Sequence, residues 1–207
     1  FIGLISLIHD DGRVLTIDTE ANKLISYNQD YSFLSTSHIN GLTVLHTRIA
    51  NNNDFIYGNS LPPKPIVRIN IKNGDTLSFR NPFISNDYME SFARSHRHVL
   101  AYKDKIFSVW FSEPIIEVFN KHNKIINKFN FFESPFLKSR LDYINSKLNR
   151  NRQNRFNTYS LFVDSYINDD NLYILLANNE GENKRYSCND LIVFDINSNQ
   201  IILKLKL

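Results

Sequence analysis

The densest group of side chains able to do chemistry is the stretch "RSHRH", Arg94 to His98. His96 and His98 stand two apart, so on a strand they share a face, and with a carboxylate from elsewhere they would suit a metal ion. Arg94 and Arg97 offer forked guanidinium donors of the kind that hold an anionic ligand. A third reading needs no ligand, because charged residues in a loop are simply solvated. Spacing alone leaves all three open, since two histidines make a weak metal signature.

A second group lies between Glu133 and Arg155: Lys138, Arg140, Lys147, Arg150, Arg152 and Arg155, with Tyr143 and Phe156 interspersed. Basic and aromatic side chains together can hold a nucleic-acid backbone or an anionic lipid. The same charges on the outer face of a docked helix are explained by solvation. The candidates for ligand or partner contact are therefore Arg94, His96, Arg97, His98, Arg150 and Arg152.

Other chemistries find less support. Cys188 is the one cysteine, which excludes an internal disulfide framework and a multi-cysteine metal site, and no histidine lies close to it in sequence. There is no Gly-x-Ser-x-Gly elbow, and none of the six glycines forms a glycine-rich turn before a helix. No catalytic residue and no cofactor is expected.

The elements that must position these residues are short and repeated. Alternating apolar and polar runs joined by small polar turns read as hairpins: "LISLIHDDGRVLTID", "LTVLHTRIANNNDFIYG", "HVLAYKDKIFSVWF" and "SLFVDSYINDDNLYILLA". Each is followed by a second one: "KLISYNQDYSFLS", "PIVRINIKNGDTLSF", "PIIEVFNKHNKIINKF" and "DLIVFDINSNQIILKL". Four units of four strands, at a period of roughly 50 residues, predict the blades of an all-β propeller. The blades fall at about 1–36, 38–80, 95–131 and 158–207 of a single domain. A β-sandwich also has many short strands, but has no reason to repeat one series of turn lengths.

Two intervals break the pattern. Residues 81–94 read as an irregular connection with one helical turn. Residues 133–155 read as a helical insertion in which Leu137, Leu141, Ile144 and Leu148 share an apolar face, leaving the basic residues outward. Trp110, the one tryptophan, falls in an apolar strand and is expected between blades. In a meander of this kind the short turns share one end of the blades and the long connections the other, so binding is expected on the long-loop or mouth face.

Composition narrows the partners. A net charge of +3 is too small for a whole-surface argument about nucleic acid or membranes. No apolar run approaches the roughly 20 residues that span a bilayer. The chain begins at Phe1, as a mature or trimmed product would, so any lipid anchor would lie outside it.

Through "DKIFSVWFSEPIIEVFNKHNKIINKF" and "DDNLYILLA" with "NDLIVFDINSNQIILKL", the chain resembles the six-bladed, TolB-like β-propellers, particularly the propeller lipoproteins of Bacteroidetes. The shared pattern is an Asp or Asn turn, a strand, then "VF-D/N-x-x-N", and carries no catalytic residue. The resemblance implies four blades of a six-bladed ring, an extracytoplasmic location in the periplasm or at the outer membrane, and a non-enzymatic binding or scaffold role in an envelope complex. Its partner would be a protein or a small ligand. A closed four-blade ring is the alternative architecture. A lactonase-like enzyme with a metal or polar site in the channel, drawing on Asp18 and Asp164, is the alternative function.

Overall fold

The computed structural model describes residues 4–9, 11–39, 46–52, 54–59, 66–81, 83–86, 88–131, 137–138, 140–142, 161–177 and 188–206. Its strands form four sheets of four, each an antiparallel meander in chain order. The first holds β1 (Leu4–Ile8), β2 (Val14–Asp18), β3 (Lys23–Tyr27) and β4 (Phe33–His38). The second holds β5 (His46–Asn52), β6 (Phe55–Asn59), β7 (Ile66–Asn70) and β8 (Thr76–Phe79). Helix α1 (Tyr88–Arg94) leads into the third, of β9 (Arg97–Tyr102), β10 (Lys105–Trp110), β11 (Ile115–Asn120) and β12 (Ile125–Asn130). The fourth holds β13 (Phe162–Asn168), β14 (Asn171–Ala177), β15 (Cys188–Asp195) and β16 (Gln200–Lys206). These are the four-stranded units expected from the hairpin pattern.

Local chemistry closes the turns. Asn28, Asn70, Asn120 and Asp195 each end or follow the third strand of their sheet. Asn70, Asn120 and Asp195 accept hydrogen bonds from the following turn's amides at Lys72, His122 and Ser198, while the Asn28 side chain donates to Ser32. The repeated Asp/Asn of the sequence is thus a side-chain brace for a tight turn. Lys103, Asn123, Asp169 and Asn199 take up the left-handed backbone that these turns require.

Three apolar seams join the sheets in sequence order. Leu15, Ile17 and Leu24 of the first sheet meet Ile56, Val67 and Ile69 of the second. Tyr57 and Ile66 of the second meet Val99, Ile106 and Phe119 of the third. The largest cluster joins Phe107, Val109 and Val118 of the third to Phe162, Leu172 and Phe194 of the fourth. The first strands of the second, third and fourth sheets lie together, β5 beside β9 and β9 beside β13, whereas the outer strands β4, β12 and β16 are exposed along most of their length. Face-packed sheets with inner strands together and outer strands at the rim are the blades of a propeller.

Within the insertion, residues 137–138 and 140–142 are helical. Leu137 is buried and Leu141 half-buried against the third–fourth seam, on the apolar face expected. Arg140 departs from the expectation of an outward charge, because it is buried beside them. A helix seated in a seam has little solvent face for its middle residues. Ile144, Leu148, Arg150 and Arg152 lie outside the described residues.

Candidate functional site

The meander sorts the connections by end. Residues 9–13, 28–32, 53–54, 71–75, 103–104, 121–124, 169–170 and 196–199 close the base in two to five residues each. The connections at the other ends of the strands run from four residues, 19–22, to 31 residues, 131–161. The long connections therefore leave and rejoin the sheets at the strand ends opposite the base, and the best described of them is the passage from β8 to β9.

That passage is folded rather than loose. The amide of Phe83 donates to Ser95 Oγ at 2.8 Å, the amide of Ser95 donates to the carbonyl of Ser91 at 3.0 Å, and Ser85 Oγ lies 2.6 Å from Glu90 Oε2. Arg94, at the end of α1, donates Nη1 to Glu90 at 3.1 Å and Nε to Glu113 at 3.0 Å, while its guanidinium lies 3.8 Å above the Phe83 ring. Glu113 belongs to the tight β10–β11 turn, so Arg94 ties α1 to the third sheet. Burial pushes the Glu113 carboxyl up, and it stays above the ordinary value despite Arg94. Outside this framework Ile84 is 87% exposed and Tyr88 62%.

The candidates around "RSHRH" are divided by strand alternation. Arg97 is fully buried in the second–third seam, its guanidinium 3.7 Å above the Trp110 ring, donating Nη2 to the carbonyl of Asn81 at 3.1 Å and Nη1 to that of Ser95 at 2.5 Å. Trp110 is thus between blades, as expected. Burial pulls the Arg97 guanidinium down to about 9, against the pull of nearby Glu117. Asn59 of the second sheet brackets the Arg97 backbone, accepting from its amide at 3.2 Å and donating to its carbonyl. Close by, Arg80 and the fully buried Glu117 form a two-pronged ion pair across the seam, with Arg80 Nε 2.9 Å from Oε2. Burial would raise the Glu117 carboxyl, but the Arg80 hydrogen bonds and charge bring it below the ordinary value.

His98 turns to the other seam, where Nδ1 is 3.0 Å from Ser165 Oγ and its ring meets Phe111 edge-on. A hydroxyl beside an imidazole is the pair nucleophilic catalysis uses. Here both groups are buried, and they bridge the third and fourth sheets. His96 precedes β9, half-buried, with its carbonyl accepting from the amide of Phe111. No group of three His, Cys, Asp or Glu able to hold a metal exists among the described residues. Asp18 accepts from the amides of Glu20 and Ala21 in its own turn, and Asp164 accepts from that of Ser165.

The sequence therefore brings Arg94 to the mouth-side connection but sends Arg97 and His98 into separate seams, so the two arginines do not converge on one ligand. Glu113, Glu117 and Arg80 were not expected. A glutamate between Ile116 and Val118, in the middle of an apolar strand, is the signal that could have found Glu117.

No family model matches the sequence, and no curated protein matches it. Solved structures do resemble it. A catalytically inactive virginiamycin B lyase from Staphylococcus aureus with quinupristin aligns at 15% identity over 100% of this chain and 56% of its own, with a TM-score of 0.57. A protein of unknown function from Bacteroides caccae aligns at 12% identity over 98% of this chain and 66% of its own, with a TM-score of 0.54. BamB from Moraxella catarrhalis aligns at 10% identity over 98% of this chain and 49% of its own, with a TM-score of 0.50. This chain spans about half to two thirds of those solved chains. Its four meandering sheets, packed face to face, have the β-propeller fold.

Proposed function

We propose that this chain is a sector of a larger β-propeller ring that acts as a non-enzymatic scaffold and binds a protein through its mouth face. The observation that carries this reading is the β8–β9 connection: α1 is tied down by Arg94, Glu113, Ser95 and Phe83, and it leaves Ile84 and Tyr88 open to solvent. An exposed aromatic and an exposed aliphatic side chain carried on an anchored backbone are efficient anchors, because less conformational entropy is lost when a partner covers them. The salt-bridged rim around them would set orientation.

The resemblance to TolB-like propellers supplies the finer statements. It points to a six-bladed ring, to which the chain contributes four blades, and to an envelope complex outside the cytoplasm. No helix among the described residues is long and apolar enough to cross a membrane.

The test is quantitative affinity capture from bacterial envelope extracts, comparing the unaltered chain with an Ile84→Asp/Tyr88→Ala variant. A specific protein retained by the first and reduced at least tenfold by the second, with unchanged far-ultraviolet dichroism, supports the reading. Equal retention by both sinks it.

A further inference from the structure

The outer base corner of the third sheet combines unpaired positive charge with exposed apolar side chains. The turn between β11 and β12 carries Lys121, His122 and Lys124, and Ile125, Ile126 and Lys128 follow on β12. All are exposed, Ile125 at 40% and Ile126 at 50%. The turn is braced rather than loose. Asn120 Oδ1 accepts from the amides of His122 at 3.0 Å and Lys124 at 3.1 Å, and the Asn120 amide donates to the Lys124 carbonyl at 3.0 Å. Lys121 and Lys124 therefore stand on either side of one closed turn. Arg68 of the second sheet brings Nη1 to 3.5 Å from the Lys121 carbonyl, and Lys105 lies opposite Asn120 in the pairing of β10 with β11.

The charge here is not balanced. Lys105, Lys121, Lys124 and Lys128 have no ion-pair partner among the described residues, and Asp104 is the one acid at the base of this sheet. The matching outer turns differ: 28–32 carries Asp30 and no cation, 71–75 sets Asp75 beside a Lys72 already paired with Asp54, and 196–199 carries no charge. Lysine on an outer strand also keeps that edge from pairing with other chains, but Lys121 and Lys124 sit in the turn, where no edge needs guarding. The third sheet has sheets of this chain on both of its faces and its outer strand at the rim. The corner therefore keeps its place on the ring's surface whatever sheets lie beyond the first and the fourth.

We propose that this corner rests on an anionic lipid surface, with the lysines among the headgroups and Ile125 and Ile126 in the apolar boundary beneath them. A nucleic-acid backbone would engage the lysines and leave the two isoleucines idle, whereas a bilayer interface offers both kinds of contact in the order this turn presents them. The corner lies at the opposite end of the strands from Ile84 and Tyr88, so it leaves the mouth face open, and neither reading depends on the other.

The test is co-sedimentation of the purified chain with vesicles of equal parts phosphatidylglycerol and phosphatidylcholine, set against vesicles of phosphatidylcholine alone. The expected result is binding to the first at low salt, weakened as salt rises, and little to the second. A lysine near an anionic surface strengthens association about fivefold, so Lys121→Gln/Lys124→Gln/Lys128→Gln should weaken it about a hundredfold. Ile125→Ser/Ile126→Ser, at two exposed positions, should weaken it about tenfold, with unchanged far-ultraviolet dichroism in both variants. Three outcomes overturn the proposal: equal association with both kinds of vesicle or with neither; a lysine variant that binds as the unaltered chain does; or an isoleucine variant that binds undiminished while duplex DNA is retained through the lysines, which would mark a nucleic-acid surface. Neither variant touches Ile84 or Tyr88, so the two readings fail separately.

Discussion

The second–third and third–fourth seams lie on the two faces of the third sheet and differ in what they bury. The third–fourth seam is a broad apolar cluster crossed by the His98–Ser165 contact. The second–third seam holds a smaller apolar cluster and, beside it, Arg80, Glu117, Arg97 and Asn59. Arg97 Nε and Ser108 Oγ are buried there without a hydrogen bond, which a seam built for stability alone would avoid. The polar seam lies under the β8–β9 connection, and Arg80 and Asn81 belong to both. The two seams divide the labour: apolar area holds the sheets together in one, and directional ion pairs fix one connection in the other.

The largest expected effect falls on the apolar seam. Phe107→Ala should cost about 4 kcal/mol in chemical denaturation, by lost burial and a cavity in the third–fourth cluster. Glu117→Ala should follow at about 3 kcal/mol, because it leaves Arg80 and Arg97 facing one another in a buried site. Exchanging both partners, Arg80→Met with Glu117→Leu, should recover most of that loss while loosening the connection above. If the double exchange is as damaging as Glu117→Ala, the ion pair is a stability device and the comparison breaks.

A smaller effect is expected at the first–second seam. Gly74 has a φ of +74°, and a Cβ there would stand 2.0 Å from the carbonyl oxygen of His38. Gly74→Ala should therefore cost about 2 kcal/mol in thermal denaturation, from backbone strain and the displaced contact.

The smallest effect is set by pH at the base. The Tyr102 hydroxyl and then the Lys103 ammonium hold the Asp170 carboxyl down at about 2, from an ordinary 3.8. A depressed carboxylate contributes stability above its unfolded value, and that contribution is lost as pH falls from 3.8 through about 2. Asp170→Asn should flatten the stability profile within that window only. A parallel profile for both proteins would remove this tie between the third and fourth sheets.

Much of the fold was legible because its signals are local. Alternation marked the strands, and Asn120 and Asp195 marked their turns, so four sheets followed from the spacing of hairpins. The site was less legible because it depends on which seam a residue faces. Alternation on one strand sends Arg97 and His98 to opposite sides of the third sheet, a division that "RSHRH" contains but that only the neighbouring sheets make meaningful. Arg94 finds Glu113, 19 residues away in sequence, through a turn whose "SEP" gave no sign of an ion pair. Arg140 was misplaced for a similar reason: an amphipathic face says which side docks, not how deeply the helix sinks.

The polar seam and the Arg94 contacts above it turn the β8–β9 connection into a fixed platform. Amide hydrogen exchange at Phe83 and Ser95, in the unaltered chain and in Arg94→Ala, tests it most directly. Slow exchange is expected at both amides in the unaltered chain and at least tenfold faster exchange in the variant, with the amides of β10 unchanged. Exchange at Phe83 and Ser95 as fast as in an unstructured peptide, before any substitution, would contradict it.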